Sequence, residues 1–278
     1  MKIFTTRAAL SAYLADQIIV CKAIGFVPTM GALHAGHLSL IGQARKESDI
    51  VVCSIFVNPT QFNDPRDLER YPRPIESDIE KLQNAGCDVL FLPQVTEMYS
   101  ADEKWQINLN GLDNILEGKI RPGHYQGVTQ IVKKLFDTVN PDVAFFGQKD
   151  YQQFMVITEL VRQYKMPVKL RMCPIVREKD GLAMSSRNVY LSQAEHQQAL
   201  ALPRALNLTK SLIGSKSVGE VKMDILRFFQ SVEGVQLEYF EICDPETLLP
   251  VHNKTGNMVA LVAAKVGQIR LIDNIILS

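Results

Sequence analysis

The chain carries no net charge: thirty lysines and arginines are matched by thirty aspartates and glutamates. No global field therefore draws it to nucleic acid or to an anionic membrane, and any anion site has to be built locally. Paired cysteines are missing too. Cys21, Cys53, Cys87, Cys173 and Cys243 are odd in number, widely spread and without a C-x-x-C, which argues against a disulfide framework or zinc knuckle and for a reducing compartment. Nor is there a long apolar run. The longest, Ile50 to Val57, falls far short of the roughly 20 residues that span a bilayer, and Arg7 and Asp16 interrupt any signal segment. Repeats, low-complexity tracts and long charged stretches are absent as well. A soluble, cytoplasmic protein is expected.

What is present is an alternation of strands and helices. Helix is expected over residues 5 to 15, a short buried strand over Gly25 to Pro28, and an amphipathic helix over Leu38 to Lys46. Ile50 to Val57 reads as a strand covered on both faces. After a loop through Asn58 to Phe62, a helix is expected from Ile75 to Ala85 and a strand from Val89 to Leu92. Val128 to Thr138 then reads as helix, Val143 to Phe146 as strand and Tyr151 to Tyr164 as helix. Such an order makes a parallel sheet with right-handed crossovers the economical topology. Beyond Val176 the pattern changes to two helices, Gln193 to Leu212 and Val218 to Phe229, followed by strands at Leu237 to Cys243, Met258 to Ala264 and Ile269 to Ile276. The expected division is residues 1–175, an α/β domain, and residues 176–278, a smaller α+β domain.

The chemistry concentrates where the first buried strand turns into helix, at Phe26-Val-Pro-Thr-Met-Gly-Ala-Leu-His-Ala-Gly-His-Leu38. Amides at a helix N-terminus are unpaired and attract anions, Gly31 and Gly36 allow close approach, and His34 and His37 can donate ring N–H bonds to oxygens that gain charge. The G-x-x-x-x-G spacing mimics a Walker loop, but His37-Leu38 stands where Lys-Ser/Thr is required, which argues against an ordinary P-loop NTPase. Ligands of open parallel sheets sit beyond the carboxyl ends of the strands. That rule adds Asn58-Pro59-Thr60-Gln61 after the second strand and Gly147-Gln148-Lys149-Asp150, leading to Gln152-Gln153, after a later one. Two further segments stand out: Asp180-Gly-Leu-Ala-Met-Ser-Ser-Arg-Asn188, whose Arg187 can fork onto phosphate, and the basic turn Gly118-Lys-Ile-Arg-Pro-Gly-His124.

The collinear set Pro28 to His37, Ser54-Ile-Phe-Val-Asn-Pro-Thr-Gln-Phe62, Phe145-Phe-Gly-Gln-Lys-Asp-Tyr-Gln-Gln153 and Met184-Ser-Ser-Arg-Asn188 closely resembles the pantothenate synthetases, AMP-forming ligases of pantoate and β-alanine. More distantly, His-x-Gly-His and Met-Ser-Ser-Arg resemble the two ATP signatures of class I aminoacyl-tRNA synthetases. The resemblance implies a Rossmann-like N-terminal domain, a smaller domain closing over ATP, a homodimer, and ATP with Mg²⁺. It assigns ATP to Met30, Gly31, Ala32, Leu33, His34, Ala35, Gly36 and His37, with His37 the proton donor and His34 its companion. Gly147, Gln148, Lys149, Asp150, Val176, Met184, Ser185, Ser186 and Arg187 complete the implied ATP site. Gln61 is implied to touch both pantoate and β-alanine, Gln153 to hold pantoate with help from Asn58, and Arg121 to stand near the substrate entrance. Gln148 departs from the family's usual Glu, keeping the size and losing a charge beside Lys149.

The implied reaction joins two anions, a carboxylate and a triphosphate, so His34, His37, Lys149, Arg187 and the Mg²⁺ carried by ATP would neutralise them. Asp78 is the carboxylate considered for that ion, and no base for the β-alanine ammonium can be named. Two other readings use the same first loop: a nucleotidyltransferase acting on a phosphorylated substrate, and a nucleotide sensor without catalysis. A tRNA ligase fits worse, because a neutral chain without an anticodon-binding domain has little to grip RNA.

Overall fold

Ile-Val-Val-Cys-Ser-Ile at 50–55 offers no polar face to water, so it has to be covered on both sides, and all six residues are buried. The computed structural model describes residues 1–101, 103–254 and 256–277 and divides into two compact units. The first comprises Met1–Gly147 with Gln152–Pro174, the second Gln148–Tyr151 with Ile175–Ser278.

In chain order the first unit contains β1 (Lys2–Phe4), α1 (Arg7–Ile19), β2 (Ile24–Thr29), α2 (Ala35–Glu47) and β3 (Ile50–Ile55). A 3₁₀ turn at Pro59–Gln61 follows, then α3 (Pro65–Arg70), α4 (Ile75–Asn84), β4 (Val89–Phe91), α5 (Val95–Met98), α6 (Leu116–Ile120), α7 (His124–Val139), β5 (Val143–Gly147), α8 (Tyr151–Gln163, in this unit from Gln152 onward) and β6 (Lys169–Cys173). Among the described residues the strands form a six-stranded parallel sheet in the order β1-β4-β3-β2-β5-β6. Alternate side chains feed two cores. Phe26 and Val52 pack with Leu14, Val128 and Phe136 from α1 and α7, while Val27 and Val51 pack with Leu40, Ile41 and Leu82 from α2 and α4. The parallel α/β sheet expected from the strand–helix alternation is therefore present, in the Rossmann-like form that the resemblance implies.

Two edge strands escape the sequence pattern. β1 has three residues, and β6, Lys-Leu-Arg-Met-Cys, alternates exposed and covered positions with charges outward. Short, charged edges limit unwanted pairing, and for the same reason they resemble loop. At the centre, β2 pairs with β3 along all six residues but with β5 only at Gly25 and Phe26. Pro28 has no N–H to give a ladder, and the strands part where it stands. The strand order reverses at this pair, so a crevice opens between the carboxyl ends of β2 and β5, the switch point where ligands of such sheets bind.

The second unit holds α9 (Gln193–Ala199), α10 (Ala201–Leu212), α11 (Val218–Gln230), β7 (Val235–Cys243), β8 (Met258–Val266) and β9 (Ile269–Leu277). Among the described residues its strands form an antiparallel sheet in chain order, and α10 and α11 pack against it. The single helix expected over 193–212 is two, broken at Leu200. Pro203 has no amide to donate to the carbonyl of Ala199, and its ring crowds that turn. Inside the unit Asp273 of β9 is buried and takes a two-pronged contact from Arg177, at 2.7 and 3.0 Å, as well as the Asn274 amide at 2.8 Å. Burial pushes the Asp273 carboxyl up, and the Arg177 guanidinium pulls it back down.

A paired charge of this kind costs most when one partner is removed. Asp273→Ala is therefore expected to lower unfolding free energy by about 2–3 kcal/mol, and the double variant Asp273→Leu with Arg177→Met by less than the single one, as read from urea midpoints. A double variant weaker than Asp273→Ala would show that the pair is not what the fold depends on here.

Candidate active site

Leaving β2 through Met30, the backbone passes through two left-handed residues, Gly31 (φ +82°) and Ala32 (φ +50°). The turn closes on a carboxylate from α4. Asp78, fully buried, accepts the Ala32 amide at 2.7 Å and the Leu33 amide at 2.8 Å. Lys81 donates to the Leu33 carbonyl at 2.8 Å. The Gly31 amide donates to the Thr29 hydroxyl at 3.2 Å, which in turn donates to the Ser54 carbonyl at 2.7 Å. Two expectations change as a result. The amides of Gly31, Ala32 and Leu33 are used inside the protein and are not held out to an anion. Asp78, the carboxylate considered for Mg²⁺, has both oxygens committed to this turn, whereas Mg²⁺ keeps much of its water when a carboxylate binds it.

The start of α2 is capped by its own histidines. His34 Nδ1 accepts the Gly36 amide at 3.1 Å, and His37 Nδ1 accepts the His34 amide at 3.4 Å, a reciprocal capping box made from two imidazoles. A neutral imidazole has one donor and one acceptor nitrogen, so an accepting Nδ1 leaves the proton on Nε2. Both rings are thus set in the tautomer that donates through Nε2. They lie 4.1 Å apart with planes tilted by 34°, half-buried at the carboxyl end of β2.

After β3, the 3₁₀ turn carries Gln61. Its neighbour Asn58 is buried and satisfied by protein: Nδ2 donates to Gln61 Oε1 and to the Gly127 carbonyl, both at 3.1 Å, and Oδ1 accepts from Tyr99 at 2.6 Å and Thr60 at 3.1 Å. Asn58, implied by the resemblance to help hold pantoate, braces Gln61. Gln61 Nε2 donates to Met30 Sδ at 3.3 Å, bringing two of the expected site residues into contact. Its carbonyl lies 2.9 Å from Nδ1 of the buried His124 and 3.5 Å from Arg121 Nη2. Gly127 has to be glycine, because a Cβ there would overlap the Thr60 carbonyl. An apolar cavity of about 580 Å³ adjoins the turn, with Met30, Phe56, Val57, Pro59 and Leu92 among its walls.

Gln153, half-buried, lies in the first turn of α8. Beside it Gln152 is buried and holds the segment before Arg121, donating to Leu112 and Ile115 carbonyls at 2.6 and 3.0 Å and accepting the Glu117 amide at 3.0 Å.

In the second unit the Gln148–Asp150 turn is clamped by Asn274 of β9. Asn274 Nδ2 donates to the carbonyls of Gln148 and Lys149 at 2.9 and 3.0 Å, and its Oδ1 accepts from Gln148 Nε2 at 3.0 Å. An amide at position 148 therefore has work that a carboxylate could not do in this arrangement, because only the amide can donate. Val176 and Met184 face each other across a hairpin, where Met184 donates its amide to the Val176 carbonyl at 3.0 Å. The turn after it is held by Asn188, which donates to Glu178 at 2.6 Å and to the Ala183 carbonyl at 3.2 Å, and by Ser185 Oγ, which accepts the Arg187 amide at 3.3 Å. Glu178, Asp180 and His196 bring ligand atoms within 4.8 Å of one another. They are already engaged: His196 lies 2.7 Å from Asp180, whose carboxyl it holds below the usual range.

Sequence reasoning missed Tyr99, Asp78 as an anchor, Gly127 and Asn274. Each acts on a partner far along the chain, and none belongs to a local pattern.

A family model described as pantoate-beta-alanine ligase matches residues 2–276. A pantothenate synthetase of Pseudothermotoga lettingae is 49% identical over 92% of both chains, and that of Thermotoga petrophila is 47% identical over the full length of both. Among solved structures, the pantothenate synthetase of Thermus thermophilus superposes with a TM-score of 0.94 at 43% identity, covering 99% of each chain. The Francisella tularensis pantoate-beta-alanine ligase, complexed with beta-gamma ATP and beta-alanine, superposes with a TM-score of 0.83 at 36% identity, covering 99% of this chain and 97% of its own. With agreement of this extent in both sequence and backbone, the chain belongs to the pantoate-beta-alanine ligase family.

Proposed function

We propose that the chain condenses pantoate with β-alanine at the expense of ATP through a pantoyl adenylate. In the first step a pantoate carboxylate oxygen attacks the α-phosphorus, the bond from that phosphorus to the bridging oxygen breaks, and pyrophosphate leaves. In the second, the neutral amine of β-alanine attacks the pantoyl carbonyl carbon, the bond from that carbon to the phosphate oxygen breaks, AMP leaves with the electron pair, and the nitrogen gives up a proton to solvent. Family membership supports the overall reaction. The observation that carries the first step is the pair of imidazoles at the end of β2, both fixed in the Nε2–H tautomer.

The first step brings two anions to bonding range. Unit charges 4 Å apart repel by about 1 kcal/mol in water and about 4 kcal/mol at an effective dielectric of 20, so excluding water makes neutralisation compulsory. His37 is assigned as hydrogen-bond donor, through its Nε2–H, to the departing phosphate oxygens, and His34 as its companion. Met30, Gly31, Ala32, Leu33, Ala35 and Gly36 are assigned to ATP through atoms other than the amides already bonded within the turn. From the sequence match, Gly147, Gln148, Lys149, Asp150, Val176, Met184, Ser185, Ser186 and Arg187 are assigned to ATP as well, Lys149 and Arg187 as cations. Gln61 and Gln153 are assigned to pantoate, Gln61 also to β-alanine, and Arg121 to the substrate entrance. Mg²⁺ is taken to arrive with the triphosphate, as part of the substrate. None of these roles needs a covalent enzyme intermediate; positioning alone can supply about 7–11 kcal/mol in well-oriented cases. We further propose that the chain works in the cytoplasm as a homodimer.

Incubated with ATP, Mg²⁺ and pantoate but no β-alanine, the protein is expected to exchange labelled pyrophosphate into ATP. Folded protein that binds ATP without exchange would reject the adenylate route and favour a nucleotide sensor. His37→Ala and Lys149→Ala are each expected to slow that exchange about 10²-fold or more, with little change in pantoate KM. Weakened pantoate binding at unchanged turnover would remove the assigned roles.

A further inference from the structure

We infer that Tyr99 is a positioning residue for the acid substrate: through Asn58, its hydroxyl decides which end of the Gln61 carboxamide faces that substrate. The inference rests on the proposed reading of Gln61 as a pantoate contact. A carboxamide is nearly symmetric in shape and opposite in chemistry at its two ends, so its neighbours have to choose its orientation. For Gln61 the choice is made in two steps.

Asn58 Oδ1 accepts from the Tyr99 hydroxyl at 2.6 Å and from Thr60 Oγ1 at 3.1 Å. With two donors on its oxygen, the Asn58 amide nitrogen has to point the other way, to the Gly127 carbonyl and to Gln61 Oε1. Gln61 Oε1 is thereby occupied and Nε2 becomes the outward end. What Nε2 meets is Met30 Sδ at 3.3 Å, a weak acceptor that a carboxylate or hydroxyl oxygen readily displaces. The reverse orientation would turn an oxygen towards an anion.

Of the two donors, Tyr99 is the anchored one. Its ring packs near Phe56, with centroids 6.3 Å apart, and under Lys134 Nζ, 5.4 Å from the ring centre. Thr60 is exposed, and its proton can turn to Tyr99 instead, whose oxygen lies 3.1 Å away. Burial pushes the Tyr99 hydroxyl up to about 12, which keeps it a donor throughout the neutral range. The backbone beneath is fixed separately, by His124 on the Gln61 carbonyl and by Gly127 against Thr60. Tyr99 thus governs the orientation of the amide rather than the place of the turn.

The test compares wild type, Tyr99→Phe and Thr60→Val in steady-state assays, varying pantoate and ATP in turn, and follows the Gln61 side-chain amide by ¹H–¹⁵N correlation, assigned by its loss in Gln61→Ala. Tyr99→Phe is expected to raise pantoate KM about fivefold, the worth of one hydrogen bond, with ATP KM within about twofold; Thr60→Val is expected to do less. The Gln61 amide pair, resolved in wild type, is expected to broaden or shift in Tyr99→Phe. An unchanged pantoate KM with an unchanged amide signal overturns the inference, as do equal rises in both KM values with a lowered Tm, the mark of general loosening. If wild type makes no pantothenate, the proposed function fails, while the amide signal still decides whether Tyr99 orients Gln61.

Discussion

The buried carboxylate of Asp78 carries the geometry at the end of β2. Two consecutive left-handed residues turn their amides inward, and a buried amide without a partner costs about 1–3 kcal/mol. The Thr29 hydroxyl takes the Gly31 amide, and one side chain from α4 takes those of Ala32 and of Leu33 after it. The loop can therefore reverse in few residues, α2 can begin at once, and the two imidazoles that cap it emerge at the crevice that Pro28 helps to open. A carboxylate suits the task because its two oxygens can each face one amide. The Lys81 ammonium, 3.9 Å away, offsets part of the charge.

Elsewhere the framework relies on carboxamides. Asn58 braces Gln61, Gln152 gathers three backbone groups ahead of Arg121, and Asn274 clamps the turn that bears Lys149. Each group donates and accepts at once and does not titrate, so it can fix a neighbour without adding charge. That economy accords with a chain of zero net charge whose proposed work is to bring two anions together. The cations assigned to that work, Lys149 and Arg187, are few, and they sit in turns held by neutral groups.

Much of the first unit was legible in the sequence because burial leaves a periodic trace. β3 reads as an unbroken apolar run, β2 as a strand ending in Pro-Thr, and α7 and α8 by their apolar stripes. The edge strands β1 and β6 did not read as strands because edges alternate with solvent and carry charge, and the break at Leu200 was hidden by the apolar pattern that runs through Pro203. The histidine pair was legible because its chemistry and its capping role lie within four residues. The bracing role of Asn58 was not legible, since nothing near it in the chain reveals that Tyr99, 41 residues on, would occupy its oxygen.

The chain by itself determined the elements, their alternation and the motifs at the strand ends, for these depend on contacts between residues a few positions apart. Only the tertiary structure decided which polar groups are spent on the protein and which remain for a ligand. Asp78 with Ala32, Tyr99 with Asn58, and Asn274 with Gln148 meet across separations of 46, 41 and 126 residues. A hydrogen bond needs its two atoms within about 3 Å, and that proximity is set by packing rather than by order along the chain.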